Sequence, residues 1–260
     1  MEFMDKLPIS GAYLLLVVIV LAAAEIGFRL GVWLQERSTD PRETRMTGAV
    51  VGGMLGLMGF LMAFSIGIAI SQHADRKSMV VTEANAIGTA WLRAGFLGEP
   101  DSASVRNLLR EYVEIRLEAA ADIKKLPTVV ARSEEIHGEL WAIIEGSVRQ
   151  GNNSDIMAIV VESINDVIDV HSLRLAAATM RLPRVLGQIL IAATILSFLL
   201  VGVASSVDRK RDTAAVVLFA LAFVAVLMIM VDLDRPQEGL LTVSQTAMSD
   251  VLRQMTPLSQ

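Results

Sequence analysis

The chain has 260 residues, of which 53% are hydrophobic and 20% are charged, and its formal net charge is −5. This acidic balance offers no basic surface to nucleic acid, so we predict no nucleic-acid partner. Cysteine is absent, which excludes disulfides, thiolate metal sites and a cysteine nucleophile. The mean hydropathy of +0.52 is high for a soluble domain.

Four long apolar runs dominate the pattern, at residues 12–34, 48–71, 185–205 and 213–232. Each is close to the roughly 20 residues that a helix needs to cross a bilayer core. The runs do not alternate, so they predict helices rather than barrel strands. We therefore predict two transmembrane hairpins, over residues 1–71 and 185–232.

A polar stretch at residues 72–184 separates the hairpins. Its first part, 75–97, has good helix formers and no proline, so we expect it to continue the second span as one helix. Pro100, Pro127 and the glycine at 151 divide the rest into three further amphipathic helices, the last starting at Ser154. The fold class is thus all-α, a four-transmembrane-helix protein with an inserted helical domain between the second and third spans. Residues 233–260 are predicted to form a charged turn followed by a short amphipathic helix.

The orientation in the membrane does not follow from the charges. Lysines and arginines are balanced between the two sides of the spans, so the positive-inside rule does not choose an orientation.

One ion pair is predicted inside the first span. Glu25 and Arg29 are spaced i,i+4 in the favourable order, so they share a helix face. Intramembrane ionisable residues often mark an ion or proton path. The alternative is a structural pair, with Arg29 reaching toward the loop side.

Two sets of residues in the second span suggest packing and a pore. Small residues recur at helical spacing, which favours close helix packing within the bundle or between subunits; they are Gly52, Gly56, Gly59, Ala63 and Gly67. Phe60, Phe64 and Ile68 share another stripe of the same helix. In an oligomer they would form a hydrophobic constriction that gates by dewetting; the alternative is lipid-facing or core packing.

No catalytic pattern is present. The chain has neither a His-Glu-x-x-His zinc motif nor a Gly-x-Ser-x-Gly elbow nor a Walker lysine. Glu162, Asp166 and Asp169 share one helix face, but they lack the alternating ligands of a calcium loop, which favours a solvated acidic face. We predict no enzymatic activity, no metal site and no cofactor.

Several short blocks resemble the uncharacterised bacterial bestrophin-like family. The most specific are Glu83–Thr89 with Leu92–Ala94, and the Asp232–Pro236 turn. The family is named for a distant likeness to bestrophins, which are pentameric anion channels whose second span lines a central pore with apolar rings. The resemblance implies that Phe60, Phe64 and Ile68 match this apolar neck, and that the termini and helical domain are cytosolic at the bacterial inner membrane. The acidic calcium clasp of the animal proteins is not seen clearly.

The resemblance also suggests a set of polar residues whose contacts near the membrane surface hold the domain to the spans; they are Glu83, Asn85, Arg93, Asp232, Asp234 and Arg235. Caps and surface ion pairs are the plainer interpretation of the same residues. The expected function is an oligomeric ion channel, selective for anions, whose partners are membrane lipid, ions and further copies of the chain, five if the resemblance holds. The alternative is a non-conducting membrane scaffold or sensor whose helical domain binds a partner.

Overall fold

The structure is a computed structural model that describes residues 8–36, 41–206, 213–235, 239 and 241–255, without the side chains of 41–47. Its described residues contain α-helices and short 3₁₀ turns and no strand, which confirms the all-α prediction. The chain divides into a membrane unit, 1–71 with 181–241, and a helical unit, 72–180 with 242–260.

The described residues of the membrane unit form four apolar helices. Helices α1 (Ile9–Gln35), α6 (Arg184–Ser205) and α7 (Thr213–Asp234) belong to it entirely, and α2 (Pro41–Arg93) contributes its first part. All four are long and apolar enough to cross a membrane. Helix α2 has 53 residues, or about 80 Å at 1.5 Å per residue. It confirms the prediction that one helix continues from the second apolar run into the polar stretch that follows.

Two apolar clusters hold the membrane unit together. In the first, Leu16 and Val20 of α1 pack with Phe198 of α6 and Val224 of α7. In the second, one face of α2 packs on α6 and α7 through buried side chains; these include Met58, Met62, Ala69, Leu190 and Leu227. Burial of these side chains orients α2, because among the described residues one of its faces meets the rest of the unit.

In the helical unit, the described residues form the second part of α2 and four further helices, α3 (Asp101–Ala121), α4 (Leu126–Arg149), α5 (Asp155–Thr179) and α8 (Thr246–Met255). The hydroxyl of Ser154 accepts a hydrogen bond from the Met157 amide at 3.2 Å and caps α5. Pro127 lies in the first turn of α4 rather than before it, since a proline lacking its N–H costs nothing at that position.

One continuous core fills the helical unit. Leu109 and Tyr112 of α3, Leu140 of α4 and Ile164 of α5 are fully buried there, and so is Met248 of α8. The amphipathic face predicted near the C-terminus therefore packs into this core.

Candidate functional site

Two of the three residues of the predicted constriction, Phe60 and Phe64, lie on the face of α2 away from the packed one, whereas Ile68 contacts the second apolar cluster. Phe60 is 69% exposed and Phe64 is 59% exposed, whereas Ile68 is partly buried. Large exposed apolar side chains are expected in a span, where lipid replaces water as solvent. This surface, Phe60, Phe64 and the small residues around them, is called here the open face of α2.

The small residues of the open face have no neighbour within the described chain. A Cβ built on Gly52, Gly56, Gly59 or Gly67 would meet no atom within 4 Å, and Ala63 is exposed. The sequence allows these small residues to pack either within the bundle or between subunits. Close packing within the subunit is not seen at these glycines. Packing between subunits stays a prediction.

Close helix packing in the described part of the membrane unit occurs elsewhere, between α1 and α6. A Cβ on Gly202 would overlap the carbonyl oxygen of Ala24, and one on Gly27 would overlap that of Leu199. Only glycine permits backbones to approach this closely. Sequence reasoning missed this contact, although Gly27 and Gly31 lie four residues apart in α1, a spacing typical of close helix packing.

The intramembrane pair forms as predicted from its spacing. Arg29 Nε lies 2.8 Å from Glu25 Oε1 within α1, with the Arg29 side chain 78% exposed and that of Glu25 34% exposed. Arg29 thus pairs with a residue of its own helix, as expected for a purely structural ion pair. A role on an ion or proton path stays a prediction.

Asp232 and Asp234, predicted to lie in a turn, belong instead to the last turn of α7 and are buried in the membrane unit. The carboxylate of Asp234 accepts a hydrogen bond from the Leu182 amide at 2.7 Å, and that of Asp232 accepts one from the Leu241 amide at 2.9 Å. Arg235 is buried beside them. The two carboxylates thus hold the segment before α6 and the segment after α7 at the end of α7, because they accept hydrogen bonds from backbone N–H groups there.

The other family-motif residues lie in the helical unit and differ in their surroundings. Arg93 donates to the carbonyl of Ile159 at 2.9 Å, joining α2 to α5, and Asn85 is exposed. Glu83 is completely buried at the centre of a group of polar side chains that come from four helices. This group is called here the buried polar cluster and consists of Glu83, Tyr112, Arg116, His137, His171 and Arg174.

Glu83 organises the cluster through three contacts. The hydroxyl of Tyr112 donates to Glu83 Oε1 at 2.7 Å, and Arg116 Nε lies 3.3 Å from the same oxygen. Arg174 donates to Glu83 Oε2 and also to the side chain of Gln245, 2.9 Å away. A buried carboxylate needs such partners, because burial alone would disfavour its charge.

The position of one proton follows from these contacts. Tyr112 has a single hydroxyl proton, and the Glu83 carboxylate can only accept, so that proton points to Glu83. The Tyr112 oxygen is also 2.9 Å from His171 Nδ1. His171 must therefore carry its proton on Nδ1 and donate it to the tyrosine, which leaves Nε2 as a free lone pair.

The two histidines lie against each other in a medium that disfavours charge. Their ring centroids are 4.9 Å apart in an edge-to-face arrangement, and His137 is 5.2 Å from the Tyr112 ring. Burial lowers the pKa of His137, and the Arg116 cation acts in the same direction against the opposing effect of Glu83. Burial and the Glu83 carboxylate raise the pKa of Tyr112 well above its ordinary value. His137 is therefore neutral, and Tyr112 protonated, at neutral pH.

Within the described part of the chain, no three histidine or carboxylate side chains are placed to hold a metal ion together. On the acidic face of α5, Asp169 accepts a hydrogen bond from Asn165 at 3.0 Å.

A model of the bestrophin-like domain matches residues 16–248, which is most of the chain and covers both units. The chain belongs to the bestrophin-like family. A comparison of this bestrophin-like chain with curated protein sequences gives no match.

The fold is also that of solved bacterial structures. A Klebsiella pneumoniae bestrophin homologue phased by Zn-SAD matches with a TM-score of 0.65 at 16% identity, over 94% of this chain and 95% of that one. A bestrophin homologue from the same organism with an isoleucine-to-threonine mutation gives a TM-score of 0.63 at 14% identity, covering 94% of this chain and 96% of that one. At these identities the likeness shows a shared fold, and four apolar helices in a bestrophin-like fold make the chain a membrane protein.

Proposed function

We propose that this bestrophin-like protein is an oligomeric ion channel in the bacterial inner membrane, selective for anions, with the open face of α2 lining a central pore. The observation that carries the proposal is the distribution of burial around α2. Met58 and Met62 pack inside the subunit, whereas Phe60 and Phe64 on the other side are exposed.

The composition of the open face suits a ring of subunits better than a lipid surface alone. Glycines at 52, 56 and 59 leave the helix backbone uncovered over two turns. Such a surface gains little from fluid lipid, but it permits close approach of another helix. The phenylalanines that project between these glycines would then meet around the axis as apolar rings. Rings of this kind gate by dewetting.

The family supports the same function. Bestrophins are anion channels, and the bestrophin-like family model covers this chain from residue 16 to 248. By the same resemblance, we propose that the helical unit and both termini face the cytosol. We also propose that Asn85, Asp232 and Arg235 act at the membrane surface, as the family motifs suggest.

The experiment is ion flux through liposomes that contain the purified protein, with Phe64→Ala as the test variant. Truncation of a constricting ring widens the pore and lowers its dewetting barrier, so we expect anion flux to rise severalfold. The matched control is Leu218→Ala on α7, whose side chain is 67% exposed but lies outside the open face.

Equal effects of the two substitutions on flux would contradict the assignment of the pore to α2. An oligomer that conducts no ion under any gradient would contradict the channel itself. It would favour the alternative, a scaffold or sensor whose helical unit binds a partner.

A further inference from the structure

The buried polar cluster carries more positive than negative charge. Arg116 and Arg174 are both largely buried, and among the described residues the only carboxylate that pairs with either of them is Glu83. Two guanidinium groups and one carboxylate leave an excess of one positive charge in the core. Burial of an uncompensated charge is costly, so a counter-charge at this place would be strongly stabilised.

Three buried polar atoms of the cluster also have no hydrogen-bond partner. They are Arg116 Nε, His137 Nε2 and His171 Nε2. Arg116 Nε is close to Glu83 Oε1, but its N–H group is not directed at that oxygen. The three residues are only 6%, 8% and 4% exposed, so solvent does not satisfy these atoms either. Unsatisfied buried groups are rare in folded proteins and call for a ligand or an ion.

The histidine rings and the Arg116 guanidinium group lie around the same tyrosine. The Tyr112 ring centroid is 5.9 Å from the Arg116 guanidinium carbon and 6.1 Å from the His171 ring. The groups that carry the three unsatisfied atoms therefore all lie around the Tyr112 ring.

Charge decides which kind of ligand fits. A transition-metal cation would accept lone pairs from two imidazole Nε2 atoms, but it would add charge to a site that is already positive. Moreover, no third histidine or carboxylate ligand is placed to complete a metal site in the described chain. An anion would neutralise the excess positive charge and accept a hydrogen bond from the unused Arg116 Nε–H group. An anion is therefore favoured.

We propose that the buried polar cluster binds one small inorganic anion, and that its histidine pair takes up one proton from solvent with the anion. The proton goes to an imidazole Nε2 atom, which changes a lone pair that repels the anion into an N–H group that donates to it. Without that proton, His171, which carries its single proton on Nδ1, would offer the anion only a lone pair at Nε2.

The charged and titratable groups around the histidines come from every helix that packs on them. Glu83 lies on α2, Tyr112 and Arg116 on α3, the exposed Glu134 on α4, and Arg174 on α5. Glu83 is the only buried carboxylate among them, and it is engaged with Tyr112 and both arginines. Glu83 is therefore not available to supply the negative charge that we assign to the anion.

Proton uptake and anion binding are then linked. The anion raises the affinity for the proton by the same factor by which the proton raises the affinity for the anion. If one proton enters with each anion, the anion affinity rises by up to about tenfold for each pH unit of acidification, between the histidine pKa of the loaded protein and that of the empty protein.

The test uses NMR of full-length protein in detergent, labelled on its histidines. The chain has three of them, and His73→Gln assigns the histidine outside the cluster. Each imidazole is titrated from pH 4 to 8 in sodium chloride, sodium nitrate and sodium gluconate at equal ionic strength. We expect chloride or nitrate to raise the titration midpoint of His137 or His171 relative to gluconate, with His73 unchanged.

Arg116→Gln should abolish this anion dependence. The control is Arg149→Gln, whose guanidinium is 76% exposed and pairs with Glu145; it should leave the dependence intact. If Arg116→Gln does not fold, His171→Gln serves instead and should remove the anion response of His137. Identical midpoints in all three salts, or equal shifts of all three histidines, would overturn the proposal. Neither result depends on whether the protein conducts ions.

Discussion

Glu83 is expected to be the residue of the helical unit least tolerant of substitution. Its buried carboxylate pairs with both Arg116 and Arg174 and accepts a hydrogen bond from the Tyr112 hydroxyl. Glu83→Gln keeps the shape of the side chain but removes its charge, so both guanidinium groups lose their counter-ion. Breaking a buried ion pair by removing one partner costs about 3–5 kcal/mol, and we expect the unfolding free energy of the helical unit to fall by that amount.

Tryptophan fluorescence isolates this unit. The chain has three tryptophans, Trp33, Trp91 and Trp141, and the last two lie in the helical unit. In a Trp33→Phe background, urea unfolding of the detergent-solubilised protein therefore reports the helical unit alone. A loss of this size moves the midpoint by more than about 1 M urea, given a denaturant slope of about 1–3 kcal/mol/M.

The matched control is Glu145→Gln on α4. Its carboxylate pairs with Arg149 at the surface, where the two side chains are 51% and 76% exposed. Exposed pairs contribute at most about 1 kcal/mol, so the midpoint should move little. Equal shifts for Glu83→Gln and Glu145→Gln would refute the view that the cluster holds the helical unit together.

Three further changes test other parts of the structure. Tyr112→Phe removes the donor to Glu83 and should cost about 1–3 kcal/mol by the same fluorescence assay; no loss would show that the hydroxyl is replaceable. Burial holds the folded-state pKa of His137 below its ordinary 6.5, so the unfolded chain binds more protons and stability falls as the pH drops below about 6.5. His137→Gln should flatten this dependence in urea titrations between pH 7.5 and 5, and an unchanged slope would assign it to other groups. Gly202→Ala forces α1 away from α6, because the new Cβ overlaps the Ala24 carbonyl, and should destabilise the protein by about 1–3 kcal/mol in thermal circular dichroism. Gly146→Ala, where no atom lies within 4 Å, should instead stabilise its helix slightly, and the same sign for both would contradict the packing.

The membrane helices were predictable because their signal is local. Length and hydropathy fix a span without knowledge of its neighbours, and an unbroken run of helix formers after Ser71 indicated that α2 continues. The same reasoning found the amphipathic face of α8 from Met248 to Met255. It did not find the core into which that face packs, because an amphipathic pattern shows that a face is buried but not against what.

The buried polar cluster could not be predicted, because its signal is not local. Its members are separated by 29 residues between Glu83 and Tyr112 and by 91 between Glu83 and Arg174. Each charged member alone resembles a charge on a solvated helix face. Three widely spaced histidines gave no motif, since only packing brings His137 to His171. The one available signal was Glu83 in a family block, which marked the residue but not its partners.

Subunit number, measured by native mass spectrometry of the detergent-solubilised protein, tests the central claim most directly. If the open face of α2 lines a pore, that face must close around an axis. We therefore predict a ring of four or more copies, with five expected from the family resemblance. A monomer or a dimer would leave Phe60 and Phe64 without a ring to form and would contradict the channel.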